Sequence, residues 1–118
     1  MPTRHVESTL AAVRSLQSKG VRVYAMETTE RSTNYVATQY DHAAGVAIVL
    51  GNEQIGVDTA VMAACDGLIE IPTFGLKNSL NVASAGAIVI YEVLRQWGAL
   101  DEPQEHPASE GGALVRGE

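Results

Sequence analysis

The hydrophobic residues of this chain change their spacing along its length, and the spacing predicts alternating helices and strands. Between residues 5 and 19, hydrophobic side chains recur near the 3.6-residue period of an amphipathic helix: Val6, Leu10, Val13 and Leu16. Gly20 follows as the expected end of that helix. Residues 21–26 alternate and are rich in β-prone types, so they predict a strand. Residues 28–41 are polar and predict a loop with one helical turn around Tyr35.

A second block of hydrophobic residues predicts a buried strand and a short helix. Residues 45–50 form a continuous apolar run that begins with a glycine, and such a strand is typically buried on both faces of a parallel sheet. Residues 51–56 predict a turn. Asp58 is then expected to cap a helix over residues 59–65, and the Asp-Gly pair at 66–67 is expected to end it.

The stretch from residue 68 to residue 97 places a polar loop before the most hydrophobic helix of the chain. Residues 68–71 predict a short strand, which ends at Pro72 because proline cannot donate to a sheet ladder. Asn78 or Ser79 is expected to cap the next helix, since either side chain can accept a hydrogen bond from the first turn. That helix is predicted to run from residue 79 to about residue 97.

Strands that alternate with helices, one of them buried on both faces, predict an α/β fold with a parallel sheet. Ligands of such sheets bind beyond the carboxyl ends of the strands. The three strand ends are therefore the places where a site is expected: residues 26–28, 50–53 and 71–73.

Length and composition describe one ordinary globular domain. The chain has 118 residues, of which 46% are hydrophobic. No stretch approaches the ~20 consecutive hydrophobic residues of a membrane span, and the first seven residues are too polar for a signal peptide. The single cysteine, Cys65, excludes an internal disulfide and fits both a small core residue and a reducing compartment. We therefore expect a cytoplasmic protein without a membrane partner.

The charge distribution argues against a nucleic-acid-binding surface within this chain. The net charge is −6, and residues 101–118 contribute −4 of it through five acidic residues and Arg116, which leaves −2 for residues 1–100. Nucleic-acid-binding proteins usually carry a basic patch, and the linear sequence shows none. Any RNA contact would need scattered Arg and Lys, a partner chain or a further domain. Residues 99–118 are predicted to be a disordered acidic tail after a domain spanning residues 1–98.

Taken alone, the short motifs leave the chemistry open. Gly51 and Gly56 flank a turn that lacks the Lys-Ser/Thr of a phosphate-binding loop, and such a turn is more often structural. Glu53 within it could be a surface charge, a favourable acid near a helix start or a site carboxylate. No nucleophile elbow occurs. No metal site is predicted either, because the possible ligands are scattered without ligand spacing: His5, His42, Cys65 and His106.

Two segments in the right order and spacing closely resemble the SpoU (TrmH) group of SPOUT RNA 2′-O-ribose methyltransferases. The first is VLGNEQIGV at residues 49–57. The second is IPTFG at residues 71–75, followed by SLNV at residues 79–82 and a helix that continues to Tyr-Glu at 91–92. The resemblance covers roughly residues 20–97 and includes two of the three family motifs.

The resemblance implies a fold, a cofactor and an assembly. It implies a parallel α/β sheet with a trefoil knot near the C-terminus, S-adenosylmethionine as methyl donor, tRNA or rRNA as substrate, and a homodimer through the last helix. By motif position it implies a cofactor cradle made mostly of backbone groups: Thr28, Leu50, Gly51, Ile71 and Leu80. The polar residues implied around the cofactor and the target ribose are the catalytic candidates: Glu53, Ser79 and Asn81.

One family motif has no counterpart in this sequence. It consists of an Asn followed several residues later by an Arg in a Gly-rich strand–loop, and it is expected upstream of the segments described above. Arg4, Arg14 and Arg22 do not lie in that context, so none of them is assigned as the catalytic arginine. The expectation is an N-terminally truncated SPOUT domain, either a fragment or a shortened homologue.

Three functions compete at this point. The first is an RNA 2′-O-methyltransferase or its cofactor-binding portion. The second is a non-catalytic cofactor-binding or dimerisation module that kept the knot and lost the chemistry. The third is a generic flavodoxin-like nucleotide-binding domain, which requires the SLN segment at residues 79–81 to match by accident.

Overall fold

The computed structural model describes residues 4–51, 56–72, 81–101 and 112–116, and side chains are described within residues 6–101 only. In these segments the helices are α1 (Arg4–Ser18), α2 (Thr59–Ala64) and α3 (Val82–Gln96), and the strands are β1 (Arg22–Met26), β2 (Thr33–Asn34), β3 (Val46–Leu50), β4 (Gly67–Glu70) and β5 (Gly112–Arg116). The predicted alternation of helices and strands is confirmed. Element ends differ from the sequence-based predictions by a few residues.

All the described strands join one parallel sheet in the order β2-β4-β1-β3-β5. The central strand β1 pairs with β3 through Ala25 opposite Val49, and with β4 through Met26 opposite Ile69. The predicted α/β class with a parallel sheet is therefore correct. Because parallel strands all point the same way, their carboxyl ends form a single edge.

The strand predicted to be buried on both faces lies at the heart of the molecule. Every residue of β3 is buried, and its side chains alternate between two hydrophobic clusters on opposite faces of the sheet. Helices α1 and α2 cover one cluster: Val13, Val23, Ala25, Ala47, Val49, Val57 and Val61. Helix α3 covers the other: Tyr40, Val46, Ile48, Leu50, Ile69, Val89 and Val93. The sheet is thus a middle layer between helices, as the apolar run predicted.

Local signals set the ends of α1 and α2. Gly20 adopts a φ of +86° just after α1, which is the left-handed conformation expected of a helix-terminating glycine. Asp58 caps α2 by accepting a hydrogen bond from the N–H of Ala60 at 2.8 Å, as predicted. Cys65 follows α2 and packs against the first cluster, where burial raises the pKa of its thiol to about 11. Gly67 already belongs to β4 and does not serve as the stop of α2.

Side chains at the end of α3 anchor the segment that precedes β3. Gln96 accepts a hydrogen bond from the N–H of Tyr40 at 3.1 Å and donates one to the carbonyl of Thr38 at 2.8 Å. The indole N–H of Trp97 donates to the carbonyl of Tyr40 at 2.8 Å. The hydroxyl of Tyr40 in turn donates to the carbonyl of Tyr35 at 2.7 Å. Backbone groups of an irregular segment are thereby paired without a sheet ladder.

A buried carboxylate holds Gln96 in this position. The side chain of Glu92 is only 7% exposed and accepts two hydrogen bonds from the guanidinium of Arg95, both at 2.8 Å. It accepts a third from the amide of Gln96, also at 2.8 Å. The hydrogen bonds from Arg95 hold the pKa of Glu92 below its usual value, so the carboxylate stays ionised.

Replacing Gln96 with leucine should lower the free energy of unfolding by about 2 kcal/mol, because part-buried backbone groups of Thr38 and Tyr40 would lose their partner. Urea denaturation followed by circular dichroism measures the change. Ser84→Ala on the exposed side of α3 is the matched control and should change stability by less than about 0.5 kcal/mol. Equal stability of the Gln96 and Ser84 variants would contradict this description of the anchor.

The prediction of a loop with a helical turn at residues 28–41 needs correction. Thr33–Asn34 forms the short edge strand β2, and the N–H of Tyr35 donates to the carbonyl of Glu70 in β4 at 2.9 Å. Residues 35–37 form a turn and not a helical turn. Both residues of β2 are polar and exposed, so no hydrophobic alternation marks them as a strand.

The prediction of a disordered tail over residues 99–118 is wrong for its last part. Residues 112–116 form β5, which pairs in parallel with β3 from Val46 opposite Gly112 to Leu50 opposite Arg116. The outer edge of a buried strand offers unpaired backbone groups, and residues 113–115 are hydrophobic and include the β-prone Val115. The acidic, proline-containing residues before it concealed this short strand from a compositional argument.

The knot prediction falls on the connection between β4 and α3. Residues 73–80 make up most of that connection and lie outside the described residues, so the trefoil knot stays a prediction. Among the described helices, none has the length and hydrophobicity needed to cross a membrane.

Candidate functional site

The carboxyl edge of the sheet brings the predicted cofactor residues into one region. Since β1 lies between β3 and β4, the segments that follow these three strands leave the sheet side by side. Thr28 follows β1, Leu50 and Gly51 stand at the end of β3, and Ile71 follows β4. Four of the five predicted cofactor positions thus share this edge. The fifth, Leu80, lies outside the described residues.

Hydrophobic packing leaves mainly backbone groups available at two of these positions. Leu50 is 2% exposed, and its side chain packs in the cluster beneath α3. Ile71 is partly buried and packs against the same cluster. Thr28 is exposed. A ligand at this edge would therefore meet mainly the main chain of Leu50 and Ile71.

Two glycines, Gly51 and Gly56, bring together the two ends of the connection between β3 and α2. We call this close approach of the two backbones the neck. A side-chain carbon placed on Gly51 would overlap the carbonyl carbon of Gly56 and would lie 2.5 Å from the nitrogen of Val57. The backbones on the two sides of the neck are therefore in direct contact. Gly56 has a φ of +78°, a conformation that favours glycine. The predicted turn falls mainly on residues 52–55, which lie outside the described residues, and the structure shows only that Gly51 and Gly56 come together.

Glu27 is the residue of this region that sequence reasoning missed. Its carboxylate accepts hydrogen bonds from the N–H of Val57 at 3.0 Å and from the N–H of Thr28 at 3.2 Å. A side-chain carbon on Gly56 would overlap this carboxylate. The carbonyl of Glu27 also accepts a hydrogen bond from the hydroxyl of Ser32. Glu27 thereby joins the end of β1 to the neck before α2, a contact across 30 positions that no local pattern reveals.

Asn81 caps α3, which corrects the predicted cap at Asn78 or Ser79. Its side-chain oxygen accepts a hydrogen bond from the N–H of Ser84 at 2.8 Å, and α3 begins at Val82. Several cap-forming residues occur within four positions, so the sequence could not select among them. Asn81 is exposed. The other two catalytic candidates, Glu53 and Ser79, lie outside the described residues, as does Asn78.

The arginines that were left without a role lie on α1 and at the start of β1. Arg22 opens β1 at the amino end of the sheet and is exposed, and Arg14 is exposed on α1. Arg4 is the first residue of α1. By backbone register, Arg116 of β5 is opposite Leu50.

The described part of the edge has the lining of a site for an organic ligand. Within residues 4–51, 56–72, 81–101 and 112–116, no three His, Cys, Asp or Glu side chains come together as metal ligands. The edge instead offers main chain beside hydrophobic side chains, the glycine neck and the carboxylate of Glu27. Such a lining suits the apolar body of an organic ligand, with a few polar groups to orient it.

Comparison with known proteins gives sequence relatives that share one activity in their names. A model of the SpoU rRNA methylase family matches residues 1–91. The tRNA (guanosine(18)-2′-O)-methyltransferase of Thermus thermophilus is 34% identical over 99 residues, which cover 81% of this chain and 50% of that protein. A 23S rRNA (guanosine-2′-O-)-methyltransferase of Xanthomonas axonopodis is 32% identical over 96 residues, which cover 81% of this chain and 37% of that protein.

A solved structure gives the same result for the fold. The crystal structure of the Aquifex aeolicus TrmH/SpoU tRNA modifying enzyme superposes with a TM-score of 0.67 at 26% identity, over 87% of this chain and 52% of that one. This chain thus spans about half the length of the curated relatives that it matches, or less.

Proposed function

The chain belongs to the SpoU rRNA methylase family, and we propose that it carries the cofactor-binding part of an S-adenosylmethionine-dependent RNA 2′-O-ribose methyltransferase. One observation carries the proposal: the segments that the family resemblance singled out leave the sheet at one edge, after β3 and after β4. The names of the relatives support methylation of a ribose in tRNA or rRNA.

The cofactor would be held mainly by the main chain at Leu50, Gly51 and Ile71, with Thr28 and Leu80 beside them. S-adenosylmethionine supplies an activated methyl group on a sulfonium centre. The chain's own residues would bind and orient this group and exclude water from it. A pocket made of backbone groups and hydrophobic side chains suits this task, because it holds a ligand without a competing nucleophile.

Methyl transfer to a ribose also needs an aligned hydroxyl that can lose its proton. Of the three catalytic candidates, Glu53 is the one with a carboxylate, and it is therefore the proposed general base. Asn81 and Ser79 can donate or accept hydrogen bonds and would orient the ribose. Asn81 uses its side-chain oxygen in the cap of α3, so its amide nitrogen is the group proposed for the substrate.

RNA binding in this account depends on more than the described surface. The chain is acidic, with a net charge of −6, and electrostatic affinity for RNA phosphates requires basic groups. We therefore place the main RNA contacts on a partner subunit or on a region beyond the segments that match the family. The RNA substrate and the single cysteine are consistent with work in the cytoplasm.

A homodimer through α3 is part of the proposal. The side of α3 that faces away from the sheet is lined by exposed small or hydrophobic residues, among them Ala83, Ala87 and Tyr91. Tyr91 is 61% exposed, which is unusual for a large aromatic side chain on a hydrophobic helix. Small residues let a second helix approach closely, and an aromatic residue can anchor the contact.

Tyr91→Glu should convert the dimer to a monomer, with the dissociation constant raised about a hundredfold, because a desolvated anchor would become a charge. Analytical ultracentrifugation over a concentration series measures it. Val36→Glu adds the same charge at another exposed hydrophobic residue, in the turn after β2, and should leave the dimer intact. A Tyr91→Glu protein that sediments as the wild type would remove α3 from the proposed interface.

The activity itself is tested by incubating the purified chain with S-adenosylmethionine carrying a labelled methyl group and with unmodified tRNA or rRNA. Label at a ribose 2′-oxygen, located by nuclease digestion and mass spectrometry, is the expected result. A folded dimer that binds the cofactor but labels no RNA would favour the non-catalytic module.

A further inference from the structure

We propose that Glu27 is a positioning residue that latches the cofactor edge together, an inference that rests on the proposed function. The Glu27 latch consists of the Glu27 carboxylate and the two backbone N–H groups that donate hydrogen bonds to it, those of Val57 and Thr28. Glu27 would not touch the reacting atoms. It would hold the neck formed by Gly51 and Gly56 in the shape that lets the main chain after β3 receive the cofactor.

The backbone N–H of Val57, beside the neck, needs a hydrogen-bond acceptor at the position that Glu27 occupies. Val57 is buried, with 5% of its surface exposed, and its backbone N–H is part-buried at the start of the segment that leads into α2. A buried N–H without an acceptor is destabilising, because it has lost its hydrogen bonds to water without gaining another. Glu27 supplies that acceptor as a charged group, and a hydrogen bond to a charged acceptor is stronger than one to a neutral group. The open form of the neck is therefore disfavoured while Glu27 is in place.

The neighbours of the carboxylate are shaped to receive it. Gly56 has no side chain and adopts a φ of +78°, and a carbon added there would overlap the carboxylate of Glu27 and lie 3.3 Å from its Cδ. On the other side of the neck, Gly51 touches the backbone of Gly56 and Val57. Glu27, Gly56 and Gly51 thus form a continuous line of contacts from β1 to β3. A displacement of Glu27 is transmitted to Gly51, which is a proposed cofactor position.

The backbone of Glu27 adds a second restraint. Its N–H donates to the carbonyl of Ile69 in β4 at 3.1 Å, and its carbonyl accepts the hydroxyl of Ser32. The residue is therefore fixed on both of its backbone groups before its side chain reaches Val57. A carboxylate held this firmly fixes the distance between the segments that follow β1 and β3.

The test uses the whole chain and three variants. Glu27→Gln keeps the size of the side chain but leaves a single carbonyl acceptor for two N–H groups, and Glu27→Ala removes both acceptors. Glu30→Gln is the matched control, since it makes the same charge change at an exposed residue three positions away. Affinity for S-adenosylhomocysteine is measured by calorimetry well below the melting temperature of every variant, where global stability does not enter. Exchange of the Val57 amide hydrogen is followed by NMR without ligand.

The latch predicts about tenfold weaker binding and about tenfold faster Val57 exchange for Glu27→Gln, the factor that corresponds to the loss of one hydrogen bond to a charged group. Glu27→Ala should show larger changes, and Glu30→Gln changes below about twofold. Wild-type affinity and wild-type exchange in Glu27→Gln would overturn the inference. Failure of the wild type to bind the ligand would instead contradict the proposed function. In that case the rate of Val57 exchange in Glu27→Gln would still show whether the Glu27 carboxylate holds the neck. If Glu27→Ala does not fold, the Gln variant carries the test.

Discussion

Asn81→Ser should leave the fold as stable as the wild type and lower the rate of ribose methylation about a hundredfold. Serine is an N-cap residue as good as asparagine, so the hydrogen bond to the N–H of Ser84 can be replaced and α3 should begin where it does now. Serine lacks the amide N–H₂ group that we propose for orienting the ribose. The loss of one well-placed polar group at a reacting centre typically costs a factor of about 10² or more.

A second variant separates the two roles of Asn81. Asn81→Ala removes the cap as well, and it should lower the free energy of unfolding by about 1 kcal/mol in addition to the loss of activity. Methylation kinetics and urea denaturation on the same preparations measure both effects. Full activity in Asn81→Ser together with reduced stability in Asn81→Ala would make Asn81 a helix cap only and would remove it from the catalytic candidates.

Gly51→Ala should lower the free energy of unfolding by about 3 kcal/mol and abolish cofactor binding. The added carbon would lie 2.5 Å from the nitrogen of Val57 and would overlap the carbonyl carbon of Gly56. Both obstacles are backbone atoms, which cannot rotate away as a side chain can, so the neck itself would have to open. Overpacking of this kind costs about 1–3 kcal/mol, and we expect the upper end because the crowding is on main chain.

Gly20→Ala provides the comparison for this prediction. A carbon on Gly20 meets nothing within 4 Å, and its only penalty is the φ of +86°, worth about 1 kcal/mol. Thermal and urea denaturation of both variants, with titration of S-adenosylhomocysteine, give the comparison. If Gly51→Ala were as stable as Gly20→Ala and bound the ligand normally, the closed neck would be the wrong description of this edge.

The parts of the fold that the sequence predicted are those whose signals are local. The run at residues 45–50 is hydrophobic without interruption because β3 is covered on both faces. The burial of this strand can therefore be predicted from its residue types. The period of Val6, Leu10, Val13 and Leu16 follows from a helix that covers a sheet on one side. Asp58 was identifiable because one cap-forming residue precedes α2 directly.

The parts that were missed depend on contacts between distant positions. The strands β2 and β5 depend on their partners β4 and β3. The two residues of β2 are polar, and the short hydrophobic run of β5 stands alone after an acidic, proline-containing segment. The role of Glu27 likewise requires that Val57 be brought to it by the sheet. Sequence reasoning did name residues 26–28 as a strand end to inspect, and it then chose Thr28 in preference to its neighbour.

The site itself came mostly from the family resemblance and not from periodicity. Composition and spacing alone left Glu53 open between a surface charge and a site residue, and only the motif gave it a role. The structure brings Thr28, Leu50, Gly51 and Ile71 to one edge of the sheet. The roles of Glu53, Ser79 and Leu80 stay predictions that mutation can test.

Calorimetric titration of the 118-residue chain with S-adenosylhomocysteine tests the central claim most directly. Our account predicts saturable binding of about one ligand per chain with a dissociation constant on the order of micromolar, the range of many enzyme ligands. The heat of binding should disappear in Gly51→Ala. The contradicting result is the absence of binding by a protein that unfolds cooperatively and keeps its helical circular dichroism, because the cofactor edge would then be formed without a function in cofactor binding.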